Sequence, residues 1–146
     1  MPRFFNLLQA ERLLPEVESA IRNAISLKSD YQEAEEERQN FSRRIMLMGG
    51  VLVDHTQVLD QKNHRESVAL RLKQAVETIQ DHGCVIKDLD IGLIDFPTLF
   101  HGEEVYLCWK LGESGIRFWH GTNEGFQGRK PIDQEFLDNH QGELPN

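Results

Sequence analysis

The sequence contains no long run of apolar residues. No stretch of the 146 residues approaches the roughly 18–20 consecutive apolar residues that a membrane span requires. The apolar start MPRFFNLLQA is too short for a secretory signal, and Glu11 and Arg12 interrupt it. We therefore expect a cytoplasmic protein with no membrane-spanning segment.

Cysteine is also scarce: the chain has two, Cys84 and Cys108. Disulfides are rare in the cytoplasm, so both residues are predicted to be reduced thiols. Cys84 directly follows a predicted helix end and is interpreted as structural. The sequence has no CxxC, HxxxH or HExxH spacing, so it predicts no metal site from motifs.

Positive charge is in short supply, and the shortage is uneven. The formal net charge is -8. Residues 1–82 carry 11 Lys/Arg against 13 Asp/Glu, whereas residues 83–146 carry 5 against 11. A nucleic-acid partner requires a basic surface, so the composition argues against one. An acidic C-terminal half mildly favours a cation or a basic partner.

Helical periodicity dominates the first half of the chain. Asn6 and Gln9 form a predicted capping box at the start of a helix. Pro15 is expected to kink or break that helix. A second, long helix is then predicted over Glu16–Met48, near 50 Å at about 1.5 Å per residue. It contains an acidic run, Glu33–Glu37, that is interpreted mainly as a solvated face, with a calcium or partner site as the alternative.

The long helix is predicted to end at a pair of glycines, residues 49–50. A linker or short element is expected over Val51–Lys62, and another helix over Asn63–Asp81 with Gly83 after its end. Two such amphipathic helices should pack antiparallel as a hairpin. The helical hairpin thus occupies residues 1–82 of a single predicted domain.

The pattern changes to β-strands over residues 83–131. The predicted strands are Cys84–Lys87, Gly92–Phe96, Glu104–Leu111 and Ile116–His120. Pro97 is expected to stop the second strand. The last two strands form a predicted hairpin around residues 112–115. The fold class is therefore α+β: a long helical hairpin on a small, mainly antiparallel sheet, followed by a polar tail over residues 132–146, in which Asp133 caps one helical turn and the last residues fray.

The hairpin predicts which side chains share a face of the sheet. With Leu111 opposite Ile116, Cys108 pairs with Trp119, and alternation places His120 on the other face from Cys108. The predicted core face carries Trp109, Phe118 and His120 together with other apolar residues. The second face carries Tyr106, Cys108 and Trp119, and a ligand, a partner or a second subunit is expected to use it.

Three residues are candidates for catalysis: Asp95, His120 and Glu113. Asp95 interrupts the apolar run Leu93–Phe96, so its carboxylate must be paired or functional. His120 is interpreted either as a strand-end histidine or as a general base or metal ligand. The structural alternative for Asp95 is a turn cap or an ion pair.

Four residues are candidates for ligand binding: Arg129, Trp119, Cys108 and Asp88. The two cations in residues 125–131 (GFQGRKP) lie beside flexible backbone and suit an anion, or Arg129 pairs with a nearby acid. In particular, we expect Arg129 to hold Asp95 bidentately beside His120. Asp88 begins a loop that faintly resembles a calcium loop but lacks its third acidic position.

Several motifs follow one another in a specific order. They are FNLLQAERLLP over residues 5–15, GLIDFP over residues 92–97, LCWKLGE over residues 107–113, Trp119-His120, and GFQGRKP over residues 125–131. With these motifs the chain resembles the bacterial domain-of-unknown-function family 2203 (DUF2203). The resemblance implies a shared fold unit and implies no activity. Its motif positions include the candidates Asp88, Asp95, Cys108, Glu113, Trp119, His120 and Arg129.

These patterns leave two functional hypotheses. The first is a non-enzymatic binding or assembly module that self-associates as a dimer and takes a small ligand or a protein partner. It rests on the absence of a complete catalytic motif and on a long amphipathic helix with too little sheet to cover it. The alternative is a small metal-dependent or acid/base enzyme, hydrolase-like, that uses Asp95, His120 and Glu113. The sequence names no cofactor.

Overall fold

Two long helices form the N-terminal half of the chain. The computed structural model describes residues 3–49 and 54–143. Helix α1 spans Leu7–Leu47 and helix α2 spans His55–Asp81. They run antiparallel, because His82 lies 3.3 Å from Glu16 while Arg65 lies 3.5 Å from Glu35. None of the described helices has an apolar stretch of the length that a membrane crossing needs.

Helix α1 begins as predicted and continues where a break was expected. The Asn6 side chain accepts the Gln9 amide at 2.8 Å, and the Gln9 side chain accepts the Asn6 amide at 2.9 Å. The predicted break at Pro15 is wrong, since Pro15 lies inside the helix. Pro15 is exposed, so water can satisfy the carbonyl that loses its amide partner. Burial of Ala10 and Val17 holds the helix on either side of it.

The ends of the helices near the hairpin loop differ from expectation in one respect. Gly49 follows the end of α1 with a positive φ of 72°, as predicted, while residues 50–53 lie outside the described part. Helix α2 starts at His55, not at Asn63, because Asp54 accepts the amides of Thr56 and Gln57 and caps it. The missed turns carry no buried residue, so they show no apolar periodicity.

The second half of the chain is a mainly antiparallel sheet with a short helix. The strands are β1 Val85–Asp88, β2 Leu93–Phe100, β3 Glu103–Lys110, β4 Phe118–Gly121, β5 Lys130–Pro131 and β6 His140–Gln141, with a 3₁₀ turn at Phe126–Gly128 and helix α3 at Gln134–Asn139. They pair in the order β1-β2-β3-β4-β5, and β6 pairs with β2 beyond the end of β1. The α+β prediction is confirmed.

Strand β2 passes through Pro97, which was predicted to stop it. Pro97 pairs with Tyr106 of β3, and its carbonyl accepts the Phe5 amide at 2.7 Å on the opposite side. The N–H and C=O of one strand residue point to the same side, so the missing N–H of Pro97 does not face β3. Proline is tolerated there because the β2–β3 ladder requires no backbone hydrogen bond from this residue.

The predicted register of the β3–β4 hairpin is wrong by one residue. Cys108 pairs with Phe118, Leu107 with Trp119 and Tyr106 with His120. The connection between the strands is longer than the predicted turn, because Ile116 leaves the ladder and is buried in the core. A slip of one residue moves every β4 side chain to the other face.

The core lies between the helices and one face of the sheet. That face contributes Ile94, Phe96, Leu107 and Trp109, which pack against Val17, Ile21 and Ile79 of the helices. A second cluster between the helices contains Ala24, Leu27, Val68 and Ala75.

The C-terminal segment packs more tightly than predicted. Asp133 caps α3 through the Phe136 amide, as expected. Phe136 is fully buried, however, and stacks on Phe100 and Trp119 with ring centroids 4.9 and 5.0 Å away. The fraying expected for the last residues of the chain falls on residues 144–146, which lie outside the described part.

Candidate functional site

Three chemically reactive side chains meet at the centre of the sheet face turned away from the helices. Asp95 of β2 is directly opposite Cys108 of β3, and His120 of β4 pairs with Tyr106, two residues before Cys108. One ligand atom from each of Asp95, Cys108 and His120 lies within 4.8 Å of the others. All three residues are at most 2% exposed. We call them the Asp-Cys-His cluster.

This cluster contradicts the expectation that Cys108 and His120 lie on opposite faces. The register slip described above turns His120 and Phe118 towards the side of Cys108 and turns Trp119 into the core. The expectation that Trp119 and Trp109 lie on opposite faces is wrong for the same reason. The geometric argument against a Cys–His metal site therefore falls away.

The hydrogen bonds of His120 show where its Nδ1 hydrogen lies. Its Nδ1 lies 2.9 Å from the Gly121 carbonyl oxygen, and its Nε2 lies 3.0 and 2.9 Å from the two carboxyl oxygens of Asp95. A carbonyl can only accept, so Nδ1 carries a hydrogen and donates it. At the other ring nitrogen, one proton is shared between Nε2 and the carboxyl group of Asp95.

Burial makes proton loss unfavourable at the two acidic members of the cluster. It raises the pKa of Asp95 above its ordinary value of 3.8, and the nearby His120 opposes that rise. Burial likewise raises the pKa of the Cys108 thiol to about 12, with Asp95 adding to the rise and Arg129 opposing it. The Cys108 thiol therefore keeps its proton at neutral pH, and Asp95 keeps its proton to a higher pH than an exposed aspartate does.

A second polar unit borders the cluster and is built on Arg129. Its Nη1 lies 3.0 and 3.2 Å from the two carboxyl oxygens of Glu113. The guanidinium carbon lies 4.2 Å from the ring centroids of both Phe118 and Phe126, so the group is stacked between two rings. The expectation that Arg129 holds Asp95 bidentately is wrong, since His120 pairs with Asp95 instead.

Glu113 does not join the Asp95–His120 pair in one constellation. Its carboxylate accepts the Lys110 amide at 2.7 Å as well as Arg129, and its backbone carbonyl accepts the Trp109 indole N–H at 3.1 Å. These bonds fix the end of β3 and the following loop. The three catalytic candidates are thus divided between two neighbouring units.

The remaining candidates lie elsewhere. Trp119 packs in the core, with the Lys130 ammonium 4.6 Å from its ring centroid. Asp88 accepts the Asp90 amide within the β1–β2 turn. Cys84 is a free thiol in the core, and Cys108 is also free, as predicted. Lys130, the second cation of the GFQGRKP motif, pairs with Glu124 at 2.7 Å.

Two residues beside the cluster were not among the sequence candidates. The Tyr106 ring lies 5.5 Å from the His120 ring, and the Lys87 ammonium lies 5.1 Å from the Tyr106 ring centroid. Burial raises the pKa of Tyr106, and the acids Glu104 and Asp95 add to the rise. Alternation along β3 already placed Tyr106 with Cys108, but only the correct register brings His120 to them.

A cleft of about 690 Å³ lies away from the cluster, between the start of α1 and the C-terminal segment. Its walls include Leu8, Glu11, Leu137 and His140. None of the three cluster residues lines it. The cleft and the cluster are therefore separate features.

Comparison with known proteins identifies the family. The family model described as "Uncharacterized conserved protein (DUF2203)" matches residues 3–132. The chain belongs to this family. The match covers most of the chain, including the whole Asp-Cys-His cluster, and the description states no activity. Searches of curated proteins and of solved structures gave no match.

Proposed function

We propose that this DUF2203 protein is a non-enzymatic assembly module that forms a homodimer through the outer part of its helical hairpin. We define this outer hairpin as residues 35–49, the end of α1 with the two residues after it, and residues 54–67, the start of α2 with its cap Asp54. The observation that carries the proposal is that none of these described residues is buried. At about 1.5 Å per residue, thirteen residues of α1 extend roughly 20 Å past Ala34.

The outer hairpin exposes an apolar surface close to its loop. Met46 is 78% exposed, Leu47 81%, Met48 65%, Leu59 55% and Val58 41%. Antiparallel pairing of α1 and α2 places the end of one helix beside the start of the other, so these side chains share one end of the hairpin. Two helices alone leave such side chains in water, and a second helical pair would cover them.

The charge pattern of α1 favours a second copy as the partner. Exposed acids at Glu36 and Glu37 precede exposed bases at Arg43 and Arg44 in the same helix. Two α1 helices packed antiparallel about a two-fold axis near residue 40 bring the acids of each copy to the bases of the other. Such self-complementarity is what an isologous interface requires.

Sedimentation equilibrium of the full chain tests the proposal. We expect the native protein to be a dimer and Leu47→Glu to be a monomer with unchanged helical content by circular dichroism. Leu8→Glu is the matched control, because Leu8 is an exposed leucine at the opposite end of the same helix. A native protein that stays monomeric at high micromolar concentration, or a Leu47→Glu variant that stays dimeric, contradicts the proposal.

A charge exchange identifies the antiparallel arrangement. Replacing Glu36 and Glu37 by Arg should weaken the dimer, because four basic side chains then meet four others across the axis. Adding Arg43→Glu and Arg44→Glu to the same chain should restore it. If the four-residue exchange does not restore the dimer, the antiparallel α1–α1 arrangement is contradicted. Dimerisation itself is tested by the sedimentation experiment above.

The alternative function, an acid/base or metal-dependent enzyme, is favoured by one observation, the close Asp95–His120 pair. Two features weigh against it. Asp95 and His120 are nearly fully buried, and Glu113 is engaged by Arg129. A substrate would have to displace these contacts before it reached the pair.

A further inference from the structure

We propose that Asp95, Cys108 and His120 form a binding site for a borderline-soft divalent transition metal, with Zn²⁺ as the best match. The proposal is independent of dimerisation, because the outer hairpin contributes none of the three residues. It rests on donor chemistry, on strand geometry and on the hydrogen bond that His120 makes through Nδ1.

The donor set suits zinc. Thiolate sulfur, imidazole nitrogen and carboxylate oxygen are the three ligand types that zinc takes in proteins. Magnesium and calcium prefer all-oxygen sites with more ligands, so this set selects against them. Three protein donors leave a fourth tetrahedral position for water or another small donor.

The strands set the three donors at suitable separations without a loop rearrangement. Asp95 of β2 is directly opposite Cys108 of β3. His120 of β4 is the diagonal neighbour of Cys108 across the β3–β4 ladder. The donor atoms lie within 4.8 Å of one another, so one ion among them could contact all three after small side-chain rotations. A rigid sheet centre fixes such a site more firmly than a mobile loop would.

The second hydrogen bond of His120 supplies independent support. Metal-bound histidines usually donate their other ring N–H to a carbonyl or carboxylate, which fixes the ring and frees the ligating nitrogen. His120 does this through Nδ1 to the Gly121 carbonyl at 2.9 Å. The freed Nε2 faces Asp95, where either a proton or a metal ion must lie between lone pairs of the two groups.

The charges around the cluster are consistent with a metal of charge +2. A thiolate and a carboxylate together neutralise it. The positive charges of Arg129 and Lys87 lie near the thiol and the carboxyl group and favour their anionic forms. Arg129 is itself neutralised by Glu113, so its repulsion of a cation is reduced. Metal binding supplies the remaining driving force for deprotonation.

Cobalt titration of the chelator-treated full-length protein tests the site. Co²⁺ serves as a spectroscopic substitute for Zn²⁺, because a thiolate ligand gives it a near-ultraviolet charge-transfer band. We expect one equivalent of Co²⁺ to produce this band, Zn²⁺ to abolish it by competition, and Mg²⁺ to have no effect. Absence of the band in the native protein would overturn the proposal.

Cysteine variants assign the thiolate, because the chain has only two cysteines. We expect Cys84→Ser to keep the band and Cys108→Ser to lose it. Asp95→Asn and His120→Gln should weaken the affinity for Zn²⁺ by more than the about 10–100-fold typical of outer contacts to a metal ligand.

His140→Gln is the matched histidine control and should bind as the native protein does. If Cys108→Ser fails to fold, Cys84→Ser alone decides, since Cys108 is then the only thiol. A folded Cys84→Ser protein without the band would refute the assignment.

Discussion

The backbone amide of Leu7 donates a hydrogen bond to Nε2 of His140, 133 residues further along the chain, at 3.0 Å. The amide belongs to the first turn of α1, where helix N–H groups have no partner within the helix. The His140 Nδ1 atom lies 3.0 Å from the Leu137 carbonyl and 3.2 Å from that of Phe136. Nδ1 therefore donates, Nε2 accepts, and the ring is neutral in this arrangement.

Replacing His140 tests the strength of this contact. We expect His140→Ala to lower the free energy of unfolding by about 1–2 kcal/mol, because the Leu7 amide loses its acceptor. His140→Gln should lose less, since its side-chain oxygen reaches about as far as Nε2. Urea denaturation of the three proteins measures the difference. Equal stability of the Ala and native proteins would show that water replaces the histidine at no cost.

Alanine substitutions at two glycines with similar φ values distinguish two causes of lost stability, backbone strain and a steric clash of the new Cβ atom. Gly92 and Gly102 have φ values of +69° and +79°. A Cβ at Gly92 would lie 2.5 Å from the Leu111 Cβ, whereas one at Gly102 would meet nothing within 4 Å. Gly102→Ala should cost about 1 kcal/mol, and Gly92→Ala about 1–3 kcal/mol more. Similar unfolding midpoints for the two variants would contradict this.

The raised pKa of the Cys84 thiol predicts how the free energy of unfolding changes at alkaline pH. Burial raises its pKa from 9.0 to about 12, against a smaller lowering by Arg3. Between these values the unfolded chain loses the thiol proton and the folded protein keeps it. The contribution of Cys84 is therefore complete below pH 9 and falls, by up to about 1.4 kcal/mol per pH unit, as the pH rises towards 12.

Cys84→Ala provides the comparison for this pH dependence. The stability of the native protein relative to the variant should be constant below pH 9 and should decline above it. Denaturant unfolding at a series of pH values measures the difference and cancels the titration of other groups. A difference that stays constant through pH 11 would mean that the thiol ionises equally in both states.

Because the guanidinium of Arg129 is stacked between two rings, we expect a substitution of this residue by lysine to lower the stability of the fold. A lysine keeps the charge but loses the planar group between Phe118 and Phe126, so Arg129→Lys should cost about 1–2 kcal/mol. Lys130→Arg is the control, since Lys130 is adjacent and half exposed. Its thermal midpoint should match that of the native protein. An equal loss in both variants would contradict the stacking argument.

Features set by adjacent residues were the ones that the sequence predicted well. The capping box of Asn6 and Gln9 and the helix end before Gly83 depend on a few neighbouring residues, and both are present. The register of β4 depends instead on Ile116, which is drawn out of the ladder by a core formed from distant segments. The alternation of side chains along one strand does not reveal that burial, so the predicted register was wrong by one residue.

The same slip accounts for what was missed at the site. Asp95 was a sound candidate because a lone carboxylate in an apolar strand requires a partner. His120 was expected beside Asp95, but Arg129 was expected to hold the carboxylate, and Cys108 was left out because it was assigned to the face opposite His120. Identifying the Asp-Cys-His cluster requires a correct pairing across three strands, which no single segment specifies.

The contacts between the two ends of the chain have a consequence for its synthesis. Glu143 donates its amide to the Phe4 carbonyl, and Phe5 donates to Pro97 within strand β2, which also pairs with β6. Residues 4–7 leave the ribosome well before their partners at residues 140–143. The helices can form early, but the contacts of residues 4–7 form only after residues 140–143 have been synthesised, so this part of the fold is completed late.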